Sequence, residues 1–198
     1  MQFEDAAGAY EHFADEFLRR RSDIGENTVR AWAGHLPDNS DLLELGCGGG
    51  LPVTRTLVAA GHRVSAIDAS PSLLETFRTR FPTVDVRCER VQDSTFFDRQ
   101  FDAIVAVGLI FLLPAAEQHD MIERIARHLR PGGGLLMTAP VETGEWTDVV
   151  TGMRCESLGE QAYREALKSA GFADPHCLTD SGPNNYYATT LSASSDKP

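Results

Sequence analysis

The chain of 198 residues is poor in several things, and each shortage removes a class of protein. Its four cysteines, Cys47, Cys88, Cys155 and Cys177, are far apart and form no Cys-x-x-Cys or Cys/His spacing, so no metal site is expected. No apolar run approaches the ~18 residues needed to cross a membrane. The opening Met1-Gln2-Phe3-Glu4-Asp5 is acidic where a secretion signal needs a basic stretch. Basic charge is also short, with 18 Lys and Arg against 29 Asp and Glu and a formal net charge of −11. Binding along nucleic-acid phosphates depends on basic side chains, so a nucleic-acid partner is not expected. A cytoplasmic protein with reduced thiols and no membrane partner follows. A monomer and a homodimer both remain open.

What the chain has is strand–helix alternation. Residues 1–40 read as an N-terminal helical region, because Tyr10, Phe13 and Phe17, then Val29, Trp32 and Leu36, recur at helical spacing. Short apolar strands are expected at Leu42–Leu45, Arg63–Ile67, Val84–Cys88, Phe101–Val107 and Leu135–Ala139. Helices are expected at Pro52–Ala60, after Ser70-Pro71, along Gln118–Leu129 and near Glu160–Ala170. Pro131-Gly132-Gly133-Gly134 reads as a break before the fifth strand. Two further strands fit around Phe172–Leu178 and Tyr186–Leu191. Alternation of this kind predicts an α/β fold with a mostly parallel sheet covered by helices on both faces. The core spans residues 41–192, with a flexible tail at 193–198.

The first strand runs into Gly46-Cys47-Gly48-Gly49-Gly50, where glycines permit tight turns and close approach of a ligand to the backbone. The dinucleotide pattern G-x-G-x-x-G, begun at Gly46, would need glycine at Leu51. The loop instead reads E-x-G-x-G-x-G from Glu44. Asp68 closes the second strand, where a carboxylate can accept both hydrogen bonds of a ribose diol. The plainer alternatives are a helix cap for Asp68 and an ion-pair partner in the strand for Glu44.

Four segments in order carry a resemblance: Leu42-Leu43-Glu44-Leu45-Gly46-Cys47-Gly48-Gly49-Gly50, Ile67-Asp68-Ala69-Ser70-Pro71, Phe101-Asp102-Ala103-Ile104-Val105 and Leu129-Arg130-Pro131-Gly132-Gly133. Over residues 40–140 the chain resembles the class I, Rossmann-like S-adenosylmethionine-dependent methyltransferases. It is also similar along its length to small bacterial methyltransferases. The resemblance implies a single-domain, seven-stranded sheet with its last strand antiparallel. It implies S-adenosyl-L-methionine as cofactor, S-adenosyl-L-homocysteine as product, and methyl transfer by in-line displacement, mainly through positioning. Gly46, Cys47 and Gly48 would line the methionine part of the cofactor, with Glu44 near its amino group and Val107 and Gly108 alongside. Asp68 would hold the ribose, Ala69 and Leu73 would flank the adenine, and Val91-Gln92-Asp93 would meet its edge. An Asn-Pro-Pro-Tyr motif is absent, which favours a small-molecule acceptor.

Acceptor contacts are expected outside the strand–loop core, at Tyr10, Arg21, Phe111, Trp146 and Tyr186, with Phe13, Glu142 and Asn185 as further candidates. Trp146 is expected in a loop, where exposed aromatics often meet ligands. Arg19-Arg20-Arg21 reads either as a solvated helix end or as an anion or substrate contact. No catalytic residue is assigned, though His119 is a candidate base if it lies near the mouth. Cys47 reads as a small loop residue rather than a nucleophile. A catalytically silent cofactor-binding protein and a nucleotide-dependent oxidoreductase are the alternatives.

Overall fold

The computed structural model describes residue 3 and residues 5–193. Three helices open it: α1 (Ala6–His12), α2 (Ala14–Arg20) and α3 (Glu26–Ala33). Alternation then follows as β1 (Asp41–Leu45), α4 (Val53–Ala59), β2 (Arg63–Asp68), α5 (Pro71–Arg80), β3 (Asp85–Cys88), β4 (Phe101–Ala106), α6 (Ala115–Arg127) and β5 (Leu129–Thr138). The last part holds a hairpin, β6 (Thr143–Thr147) with β7 (Arg154–Leu158), then α7 (Glu160–Ser169), β8 (His176–Thr179) and β9 (Asn185–Thr190). Of the tail expected at 193–198, all but residue 193 lies outside the described residues.

Seven strands form one sheet in the order β3-β2-β1-β4-β5-β9-β8. Strand β9 runs antiparallel to β5 and β8, and the pairings from β3 through β5 are parallel. Strand order reverses between β1 and β4, and in open sheets of this kind ligands bind beyond the carboxyl ends of the strands at that point. Side chains alternate between the faces. Leu43, Ile104, Leu135 and Met137 pack under α6 and α7 with Ile122, Ile125 and Tyr163. Leu42, Val105 and Leu136 pack on the other face with Val29 and Trp32 of α3 and Leu57 of α4.

Two expectations need correction. Pro131–Gly134 lies inside β5, which begins at Leu129, and Leu129 itself belongs to that strand rather than to the preceding helix. A bulge between Phe101 and Ala103 absorbs the irregularity. A Cβ at Gly133 would stand 2.8 Å from the Arg130 carbonyl and 3.0 Å from that of Asp102, so glycine lets the strands approach. Trp146 lies in strand β6 and pairs with Cys155, not in a loop. Thr143–Thr147 is largely exposed on both faces, so it carries no apolar alternation.

No described helix is long and apolar enough to cross a membrane.

Candidate active site

The loop after β1 takes its shape from glycines at alternate positions: Gly46, Gly48 and Gly50 have φ of 71°, 54° and 81°, a region other residues enter at a cost. The N–H groups of Gly46 and Cys47 donate to the Ile67 carbonyl at 2.8 and 3.1 Å, tying the loop to the end of β2. There Asp68 accepts from the Gly48 N–H at 2.7 Å through Oδ2 and from the Ser70 N–H at 2.9 Å through Oδ1. The cap of α5 is Ser70, whose hydroxyl accepts from the Leu73 N–H, so Asp68 does not cap the helix. Burial raises the Asp68 pKa against the pull of these N–H groups. A carboxylate offers about four acceptor positions, and two donors leave the others for a ligand.

Glu44 is 3% exposed and faces α4, where Thr54 donates to it at 2.6 Å. It forms no ion pair among the described residues, although the Arg21 charge lies close enough to favour ionisation. Burial wins, and its pKa is pushed up to about 8. Cys47 is likewise pushed up, by burial and by the Glu44 and Asp68 charges, which leaves its thiol a poor nucleophile.

These groups open onto a cavity of about 1160 Å³. Of the residues expected at the cofactor, Glu44, Gly46, Cys47, Gly48, Asp68, Ala69, Leu73, Val91, Gln92 and Val107 all line it. So do the expected acceptor contacts Tyr10, Arg21, Phe111, Trp146, Asn185 and Tyr186. The other candidates do not. Phe13 packs against Phe3 and His12, and Glu142 and His119 are exposed outside the cavity lining.

In the arginine triplet Arg19 and Arg20 are an exposed helix end, and Arg21 contacts a neutral carbonyl rather than an anion. Arg19 and Arg20 pair with Glu16, whereas Arg21 donates through Nε and Nη2 to the Leu51 carbonyl at 3.0 and 2.9 Å. Tyr186 presents its ring, but its hydroxyl donates to Asp180 Oδ2 at 2.9 Å. The Tyr10 hydroxyl faces Asp148, and burial and that charge raise its pKa.

Helices α1 and α2 roof the glycine loop. Phe17 comes so close to Gly48 that a Cβ there would meet its ring at 3.1 Å. Three polar ties hold the roof: Asp5 with Arg90 at 2.7 Å, Glu11 with the Ser72 N–H and hydroxyl at 3.1 and 2.6 Å, and Arg21 with Leu51. Asp5, Glu11 and Asp148 were not legible as site residues, since none lies in a motif and each acts through a partner distant in the sequence. Arg124, on α6, is a further residue the sequence did not reveal. Its guanidinium donates to the carbonyls of Val91, Gln92 and Ser94 and sits 4.9 Å from the Phe96 ring.

The strand order, with the crevice above β1 and β4, is that of the fold of class I S-adenosylmethionine-dependent methyltransferases. The chain superimposes with a TM-score of 0.72 on the 1,6-didemethyltoxoflavin-N1-methyltransferase of Burkholderia thailandensis, solved with 1,6-didemethyltoxoflavin and S-adenosylhomocysteine bound. That match covers 93% of this chain and 85% of the other at 18% identity. Within the fold, residues 42–133 match the methyltransferase domain family. Cypemycin N-terminal methyltransferase from Streptomyces sp is 37% identical over 121 residues, 57% of this chain and 48% of that protein. Ubiquinone biosynthesis O-methyltransferase from Xanthomonas oryzae pv. oryzae is 31% identical over 142 residues, 67% of this chain and 58% of that protein. The chain thus spans about half to three fifths of the length of these relatives.

Proposed function

We propose that the protein is an S-adenosylmethionine-dependent methyltransferase acting on a small molecule. The observation that carries this reading is the convergence of the Gly46–Gly50 loop and Asp68 on one cavity roofed by α1 and α2. The residues fit the cofactor. Asp68 keeps acceptor capacity after binding the Gly48 and Ser70 N–H groups, which suits a ribose diol. Gly46, Cys47 and Gly48, with Glu44 below and Val107 beside them, suit the methionine portion. Ala69, Leu73, Val91 and Gln92 suit the adenine. The match of residues 42–133 to the methyltransferase domain family supports the same assignment.

The sulfonium cofactor supplies, when bound, an electrophilic methyl group on a good neutral leaving group. What the protein adds is position. Holding two reactants in line contributes up to about 7–11 kcal/mol in the best cases. The roof, fastened by Asp5, Glu11 and Arg21, covers the glycine loop. Tyr10, Phe111 and Trp146 set the acceptor on the open side. Tyr186 shapes that side with its ring, its hydroxyl being held by Asp180.

Calorimetric titration with S-adenosylmethionine and with NADH tests the reading. S-adenosylmethionine is expected to bind and NADH not to. Asp68→Ala is expected to weaken S-adenosylmethionine at least about tenfold, ~1.4 kcal/mol. Binding indifferent to Asp68 would sink the assignment.

A further inference from the structure

The acceptor side of the cavity has its own chemistry. Its walls are aromatic: Phe111 and Trp146 lie with ring centroids 5.3 Å apart at 49°, and Tyr10 stacks edge-on against Phe17 at 5.3 Å. Its charges are unevenly paired. The Asp148 carboxylate stands where the β6–β7 hairpin loop begins, and the loop is closed there by the Asp148 N–H to the Met153 carbonyl at 2.8 Å. Oδ1 is fixed by donors from the Val150 N–H, the Thr151 N–H and the Thr151 hydroxyl at 3.0, 2.7 and 2.8 Å. Neither Asp148 nor Glu156, also on the lining, forms an ion pair among the described residues.

The basic groups of the lining, by contrast, are engaged. Arg154 pairs with Glu145, Arg20 with Glu16, Arg90 with Asp5, and Arg21 is spent on the Leu51 carbonyl. Among the described residues an anionic acceptor would find one guanidinium without an ionic partner, Arg21, whose Nε and Nη2 are held by the Leu51 carbonyl, while a cation finds two unpaired carboxylates and aromatic faces, which attract it further. Nor does a histidine or lysine line the cavity among the described residues. An alcohol or phenol oxygen must lose a proton to become a good nucleophile, and here only a carboxylate such as Asp148 or Glu156 could take it. A neutral amine already presents its lone pair.

Resting on the reading of this cavity as a methyl-transfer site, we propose that its acceptor is an amine carried on a flat aromatic body, the body seated against Phe111 and Trp146 and the nitrogen directed at Asp148. Asp148 accepts an N–H hydrogen bond and so aims the nitrogen lone pair. A protonated amine first releases one proton to water at the mouth. The lone pair then forms the N–C bond as the sulfur–methyl bond breaks, sulfur keeping the bonding pair. The product leaves as a methylated ammonium, so charge and protons balance.

The test is calorimetry at saturating S-adenosylhomocysteine with three probes of one shape: tryptamine, tryptophol and indole-3-acetate. Wild type is expected to bind tryptamine at least about tenfold more tightly than the alcohol or the acid. Asp148→Asn, which keeps an oxygen for the loop N–H groups, is expected to lose that preference while S-adenosylhomocysteine affinity stays within about twofold. Trp146→Ala is expected to weaken all three probes together. Equal binding of the probes, preference for the acid, or no tryptamine binding while S-adenosylhomocysteine still binds would overturn the amine assignment alone. Failure of wild type to bind S-adenosylhomocysteine would instead overturn the methyl-transfer reading beneath it. Should Asp148→Asn not fold, the comparison of probes on wild type decides the matter by itself.

Discussion

Glu44 is a carboxyl group that the fold drives toward its neutral form. Burial outweighs the Thr54 hydroxyl and the Arg21 charge, and the pKa rises from an ordinary 4.5 to about 8. The native state thus holds a proton that the unfolded chain gives up near pH 4.5. Stability from this residue is present below that pH and is lost as pH rises toward 8. Glu44→Gln removes the titration without changing shape. Between pH 5 and 8 the melting temperature of wild type is expected to fall about 5 °C further than that of the variant, on the order of 2 kcal/mol for a chain of this length. Parallel pH profiles would show that Glu44 ionises as freely in the fold as outside it. Residues whose role follows from the backbone were readable in the sequence: Gly46, Gly48 and Gly50 announce positive φ, and Asp68 marks the end of β2. Residues whose role depends on a distant partner were not. Nothing in the order of amino acids says that the Tyr186 hydroxyl belongs to Asp180, or that Asp148 faces Tyr10.

Among the elements, α6 does more than cover the sheet. Through Arg124 it fixes three carbonyls of the 91–94 segment, whose Val91 and Gln92 line the cavity. The segment is additionally held by Gln92 donating to Glu117, also on α6, at 3.1 Å. Arg124→Met is expected to weaken S-adenosylhomocysteine at least about fivefold, ~1 kcal/mol, with Arg124→Lys recovering part of the loss. Because the segment is assigned to the adenine edge, selectivity against S-inosylhomocysteine is expected to shrink in parallel. A stability change with selectivity intact would reduce Arg124 to scaffolding. The elements that could be read in advance are those with a clear pattern: β1, β2 and β4 are short, largely buried strands rich in apolar residues, and Met121, Ile122 and Ile125 mark the buried stripe of α6. The hairpin escaped because β6 is exposed on both sides. The start of β5 escaped because three glycines resemble a chain break until the neighbouring carbonyls of Arg130 and Asp102 are seen.

Taken whole, the molecule is a sheet whose crevice is closed by its own beginning. The three ties of the roof reach three different places around the cavity: the segment after β3, the start of α5 and the end of the glycine loop. A bound cofactor that touches the same loops should hold the roof down. Limited trypsin digestion reads this at Arg19 and Arg20, which are exposed at the end of α2. Cleavage there is expected to slow several-fold with S-adenosylhomocysteine present. Equal rates would mean that the roof does not respond to occupancy.

The roof has a consequence for exchange between proteins. The segment that matches the methyltransferase domain family, residues 42–133, carries the sheet crossover and the glycine loop. Tyr10, Trp146 and Tyr186 lie outside it, in stretches that precede or follow. A chimera that borrowed only the matched segment would inherit a cofactor cradle without the roof or the hairpin. The reverse graft, these outer stretches onto a related sheet, would carry Tyr10, Trp146, Asp148 and Tyr186 but leave Phe111 behind with the cradle.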